Sequence, residues 1–124
     1  AKQALSSPEC TAEIRSDSLI VLGDMHFELG NIAGAEAAFD ELTRLRLRYT
    51  DWQMLGICRA RLGNIEEAIL AFQTAVNLKP GSVELHRLLT TALNTVGQKS
   101  LAETHRKTAM RLEKQLAADS LPNR

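Results

Sequence analysis

The stretch from Trp52 to Pro80, WQMLGICRARLGNIEEAILAFQTAVNLKP, decides the fold. It holds two helix-forming runs, parted by Gly63-Asn64 and closed by Lys79-Pro80-Gly81. Small residues at Gly56, Ala68 and Ala75 let two antiparallel helices approach closely. Large ones at Trp52, Leu55, Leu62, Phe72 and Leu78 are expected to fill the space between this hairpin and its neighbours.

Outward from this stretch the pattern recurs. Gly30-Asn31-Ile32, Gly63-Asn64-Ile65 and Gly97-Gln98-Lys99 follow one another at spacings of 33 and 34 residues. Leu22-Gly23 and Leu55-Gly56 sit seven residues before their turns, and Leu89-Thr90 takes that place in the third copy. Ala35, Ala68 and Ala102 follow the turns, then Phe39, Phe72 and Arg106, then Leu42, Ala75 and Ala109. Self-similarity at about 34 residues signals a helix-turn-helix solenoid.

The middle copy resembles the tetratricopeptide repeat (TPR) family. Trp52, Leu55, Gly56, Gly63, Ala68, Phe72, Ala75 and Pro80 fall where that family's pattern places them. The resemblance covers residues 16–114, and the outer copies depart from it. Leu19 and His86 replace the tryptophan, His26 and Leu93 take the usual tyrosine position, and Lys114 replaces the closing proline. The fold class it implies is all-α: a right-handed superhelical solenoid of three antiparallel hairpins with an extended last helix.

We expect helices over 8–29, 32–47, 51–62, 65–78, 83–96 and 99–118, in one domain spanning 1–124. Its repeats run at about 16–48, 49–82 and 83–116. Residues 1–15 are a helix extension started by Ser7-Pro8-Glu9, or a remnant of a preceding repeat, and 119–124 fray. Thr50 with Gln53, and Asn64 with Glu67, read as capping boxes, and Ser82 as a cap. Gly30, Gly63 and Gly97 are expected at positive φ where each first helix ends.

Composition excludes several classes. Hydrophobic residues make up 44% and charged residues 24%, as in ordinary globular domains, and no apolar run approaches a membrane span. No signal peptide is visible, and the chain starts at Ala1, so it reads as processed or excised. The compartment stays open, with the cytoplasm as default. Cys10 and Cys58 make neither a disulfide framework nor a metal quartet and read as small buried hydrophobes. His26, His86 and His105 lie on three different helices without HExxH or CxxC, which argues against a metal site, a cofactor or catalysis. A Cys58–His26 pair would still need an orienting group and an oxyanion hole. The run His105-Arg106-Lys107 with Arg111 and Lys114 has no interleaved aromatics, so a solvated helix face is favoured over nucleic-acid binding.

Charge is zero overall but unevenly spread. Residues 1–42 hold two basic and eight acidic groups, a net −6, and residues 43–124 hold thirteen and seven, a net +6.

The resemblance places a concave binding surface on the first helix of each hairpin. Its groove-facing residues would be Asp17, Ile20, Asp24 and Phe27 in the first repeat, Gln53, Met54, Ile57 and Arg61 in the second, and Arg87, Leu88 and Thr91 in the third. The family's carboxylate clamp for chaperone tails is absent, since Ile20, Asp24, Met54, Glu84 and Leu88 stand in its places. The expected function is a protein-interaction scaffold that binds a peptide or helix and is not an enzyme. Alternatives are a self-assembly module or a regulatory domain of a larger protein. Leu101, Ala109, Leu112 and Leu116 suggest that the C-terminal end is the uncovered apolar one, giving a weak homo-oligomer.

Overall fold

In the computed structural model, which describes residues 8–120 with side chains from Ile14 onward, six helices follow one another. They are α1 (Pro8–Glu28), α2 (Ile32–Leu45), α3 (Tyr49–Arg61), α4 (Ile65–Leu78), α5 (Val83–Thr95) and α6 (Lys99–Ser120), and no strand occurs among the described residues. Each packs chiefly on its neighbours in sequence. The result is three hairpins, α1–α2, α3–α4 and α5–α6, stacked in order.

The same device closes all three hairpins. Gly30, Gly63 and Gly97 adopt φ of 83°, 89° and 83°, a region costly for side chains with a Cβ. The residue after each glycine donates its N–H back to the last turn: Asn31 to His26 O (2.8 Å), Asn64 to Arg59 O (2.8 Å), Gln98 to Leu93 O (2.9 Å). Each glycine N–H bonds the carbonyl three residues earlier, completing a Schellman motif.

Helix starts are less uniform. Asn31 and Ser82 cap α2 and α5, accepting from Gly34 N and Leu85 N, each at 3.3 Å. The two expected capping boxes do not form. α3 begins at Tyr49, so Thr50 lies inside the first turn and Arg48 holds the cap position without a side-chain bond. Asn64 likewise makes no cap hydrogen bond. Asp51, buried in that first turn, instead takes a bidentate bond from Arg46 at 2.6 and 2.8 Å. That ion pair fixes the link between the first two hairpins and holds the Arg46 pKa above its ordinary value.

Two core clusters form, one per junction. The first joins Leu19, Phe39 and Leu42 to Leu55 and Cys58, and the second joins Phe72 and Ala75 to Leu85, Leu89 and Leu93. Trp52 packs against both. Leu62 and Leu78 do not fill the inter-hairpin space as expected. Both sit at the last turn of a helix, where the chain leaves the core, and both are exposed.

Gly23 and Gly56 show why those positions are small. A Cβ would stand 2.8 Å from Phe39 Cζ at Gly23 and 2.5 Å from Phe72 Cε1 at Gly56. The third hairpin has no phenylalanine there, and Thr90 fits, bonding the His86 carbonyl at 2.8 Å.

Candidate functional site

None of the eleven groove candidates is buried. Ile20, Phe27, Gln53, Met54, Ile57 and Leu88 are half-buried; Asp17, Asp24, Arg61, Arg87 and Thr91 are exposed. Ile20, Phe27 and Met54 pack against the first cluster, Ile57 and Leu88 against the second. These apolar side chains thus rest one edge on the core and offer the other to solvent.

Contacts join some of the candidates. The Arg61 guanidinium lies over the Phe27 ring at 4.7 Å from its centroid, tying the ends of α1 and α3 together. Arg87 is engaged elsewhere, in an ion pair with Glu113 of α6. Asp17, Asp24, Gln53 and Thr91 make no side-chain ion pair or hydrogen bond with other described residues, although Asp17 lies close enough to Arg46 to help raise its pKa.

The histidines do not all stay apart. His86, buried on α5, and His105, on α6, bring their Nδ1 atoms to 2.9 Å with rings stacked at 5.2 Å. His86 Nε2 lies 2.8 Å from the Pro80 carbonyl, which can only accept, so Nε2 carries the proton. Its Nδ1 then accepts from His105 Nδ1–H. Burial, and after it the neighbouring His86, lowers the His105 pKa. No sequence motif marks this pair; it follows from the antiparallel alignment of α5 and α6.

Cys58 is not poised as a nucleophile. Cys58 is buried, and desolvation pushes its thiol up to about 11, far from thiolate at neutral pH. The side chain of Cys10 lies outside those described. His26 Nδ1 is 3.1 Å from Asn31 Nδ2. Among the described residues no three His, Cys, Asp or Glu side chains gather as a metal set, and no helix is long and apolar enough to cross a membrane.

Residues 50–82, hairpin α3–α4 with its flanks, match the family Tetratricopeptide repeat. The middle hairpin is a tetratricopeptide repeat. No curated protein matches the chain closely enough in sequence to be called a relative. Solved structures of the same fold are numerous. The crystal structure of MamA overlays with a TM-score of 0.79 at 21% identity, over 83% of this chain and 61% of that one. The TPR2B domain of yeast Sti1, in complex with pHsp70, gives 0.78 at 18%, over 86% of both chains. The Yersinia enterocolitica type III secretion chaperone SycD, with a peptide of the translocator YopD, gives 0.74 at 20%, over 83% and 84%. At such identities the likeness is one of fold, and the chain spans 61% of the length of MamA. The tetratricopeptide fold places α1, α3 and α5 as the first helices of its hairpins, and these carry all eleven candidates.

Proposed function

We propose that this domain is a scaffold that binds a segment of another protein along α1, α3 and α5. The observation that carries the reading is the layer of half-buried apolar side chains, Phe27, Met54, Ile57 and Leu88, set on the core yet open to solvent. Packing from beneath holds these contacts in place, so little ordering is left for the moment of binding. Two tetratricopeptide structures that it overlays hold such partners, pHsp70 on Sti1 and a YopD peptide on SycD.

The partner's chemistry follows from the surface. Two or three apolar anchors would supply affinity, on an amphipathic helix or an extended segment. Met54 adapts to irregular partners. Asp17 and Asp24 favour a basic end over the first hairpin. With Arg87 held by Glu113, the cation that favours an acidic partner group is Arg61. A binding role of this kind needs no catalytic residue.

The test uses a phage-displayed peptide library panned on the purified domain and on its Met54→Arg variant. Peptides enriched on the parent should lose binding to the variant, whose helical signal and melting temperature stay close to the parent's. Unfolding by Met54→Arg would make Met54 core. Full binding by a folded variant would move the site off these helices.

A further inference from the structure

In each hairpin the first helix has a face that looks back along the array. On α3 that face carries Leu55 and Cys58, fully buried in one cluster with Phe39 and Leu42 of α2. On α5 it carries Leu89 and Ala92, buried in one cluster with Ile69 and Phe72 of α4. The repeat spacing maps these positions onto Leu22 and Met25 of α1, which are 42% and 44% exposed. Ile14, Val21 and Leu29 continue them as one stripe at helical spacing, exposed by 53% to 75%. The stripe lies opposite Leu19 and Gly23, which face the core. It is the face that would receive the second helix of a preceding hairpin, and contiguous apolar patches of this kind mark interaction sites.

The opposite end mixes exposed apolar side chains with a basic run. Ala109 is buried and Leu112 half-buried, although Leu101 and Leu116 are exposed. Arg106, Lys107, Met110, Arg111 and Lys114 line a shallow depression of about 460 Å³ on α6. By repeat spacing Lys107 and Met110 stand where α2 carries Asp40 and Thr43 and α4 carries Gln73 and Val76. Asp40 reaches forward to Arg59 of α3, and Val76 packs against the cluster that includes α5. The ion pairs of α6 among the described residues are Arg106–Glu103 and Glu113–Arg87, so Lys107, Arg111 and Lys114 are unpaired. On α1 the ion pair among the described residues is Arg15–Glu41, and there Asp24 and Glu28, beside the stripe, have no partner.

We propose that the basic face of α6 in one copy docks head to tail on the apolar, acid-flanked stripe of α1 in a second copy, as α2 sits on α3. Lysine and arginine stems cover apolar surface while their charged ends reach the acidic flank. The −6 and +6 segments steer the ends together. A symmetric pairing of α1 with α1 would instead set the acidic flank against its own copy. The head-to-tail contact is heterologous, so each added copy leaves one stripe and one basic face free.

The experiment is sedimentation velocity on the 124-residue chain across concentration, at 50 and 500 mM NaCl. The average mass should climb above the monomer value with concentration at low salt and return to it at high salt. Asp24→Lys/Glu28→Lys alone and Lys107→Glu/Arg111→Glu alone should each stay monomeric, and an equimolar mixture of the two should associate again. Val21→Ser/Met25→Ser should also be monomeric with an unchanged helical signal. A wild-type chain that stays monomeric at millimolar concentration and low salt would overturn the proposal. So would undiminished association of Lys107→Glu/Arg111→Glu, which would point to α1–α1 pairing or another surface.

Discussion

Replacing Gly56 with alanine puts a Cβ 2.5 Å from Phe72 Cε1 and 2.6 Å from Cδ1, well inside van der Waals contact. Phe72 is 2% exposed and locked in the second cluster, so its ring cannot swing away. Relief must come from spreading α3 and α4 or from an off-rotamer ring, and overpacking of this kind costs about 1–3 kcal/mol. Alanine returns up to about 1 kcal/mol through its better helix propensity. The net expectation is destabilisation by about 1–2 kcal/mol, a fall in melting temperature of roughly 5–10 °C for a domain of this size. Urea and thermal unfolding followed at 222 nm measure it. Gly23→Ala should cost less, because its nearest ring atom is 2.8 Å away. Thr90→Ala, where no ring intrudes, should lack the overpacking cost. In a Phe72→Leu background the Gly56→Ala penalty should shrink, since the ring atoms that clash are gone. A Gly56→Ala protein as stable as its parent would refute the steric reading of both phenylalanine–glycine contacts.

Trp52→Ala, which empties the joint between both clusters, should destabilise by about 3–5 kcal/mol in the same unfolding assay. Asp51→Ala removes the bidentate partner of Arg46 and should cost about 2 kcal/mol, with Arg46→Lys also harmful because a lysine cannot make both bonds. His105 is held below its ordinary pKa of 6.5, so the folded state binds fewer protons. Stability should be full above pH 6.5 and fall as pH drops below it. The facing titratable group is His86, while Gln73 and Asn77 nearby are uncharged; His105→Gln should flatten the pH dependence of the melting temperature. In a Cys10→Ser chain, Cys58 should resist iodoacetamide at pH 8 and react once denaturant unfolds it, because its thiol titrates near 11.

Gly30, Gly63 and Gly97 announced the turns because a positive φ admits few other residues, and Ala35, Ala68 and Ala102 were legible because close helix contact excludes bulk. Leu62 and Leu78 misled because hydrophobicity alone does not say on which side of a helix's last turn a side chain falls. Thr50 misled because a cap depends on where the helix begins, and Tyr49 extends α3 one residue past it. The groove candidates could be named only by analogy of position, since their partial exposure depends on how α1, α3 and α5 tilt against the core. The His86–His105 contact and the outward stripe of α1 were hidden for a related reason. Both depend on which helix face meets a neighbour, and α1 carries apolar residues all round.

Packing chiefly between sequence neighbours shapes how the chain comes apart. Among the described residues the contacts that skip a helix are few, such as Arg61 over Phe27, so the hairpins can open in turn. Amide exchange should be slowest in α3 and α4, whose hairpin has another hairpin on each side. It should quicken toward α1 and past Leu112 on α6, where an amide waits only for its own hairpin to part. A pulling force applied at the two ends would then meet a series of small yields in place of one large rupture.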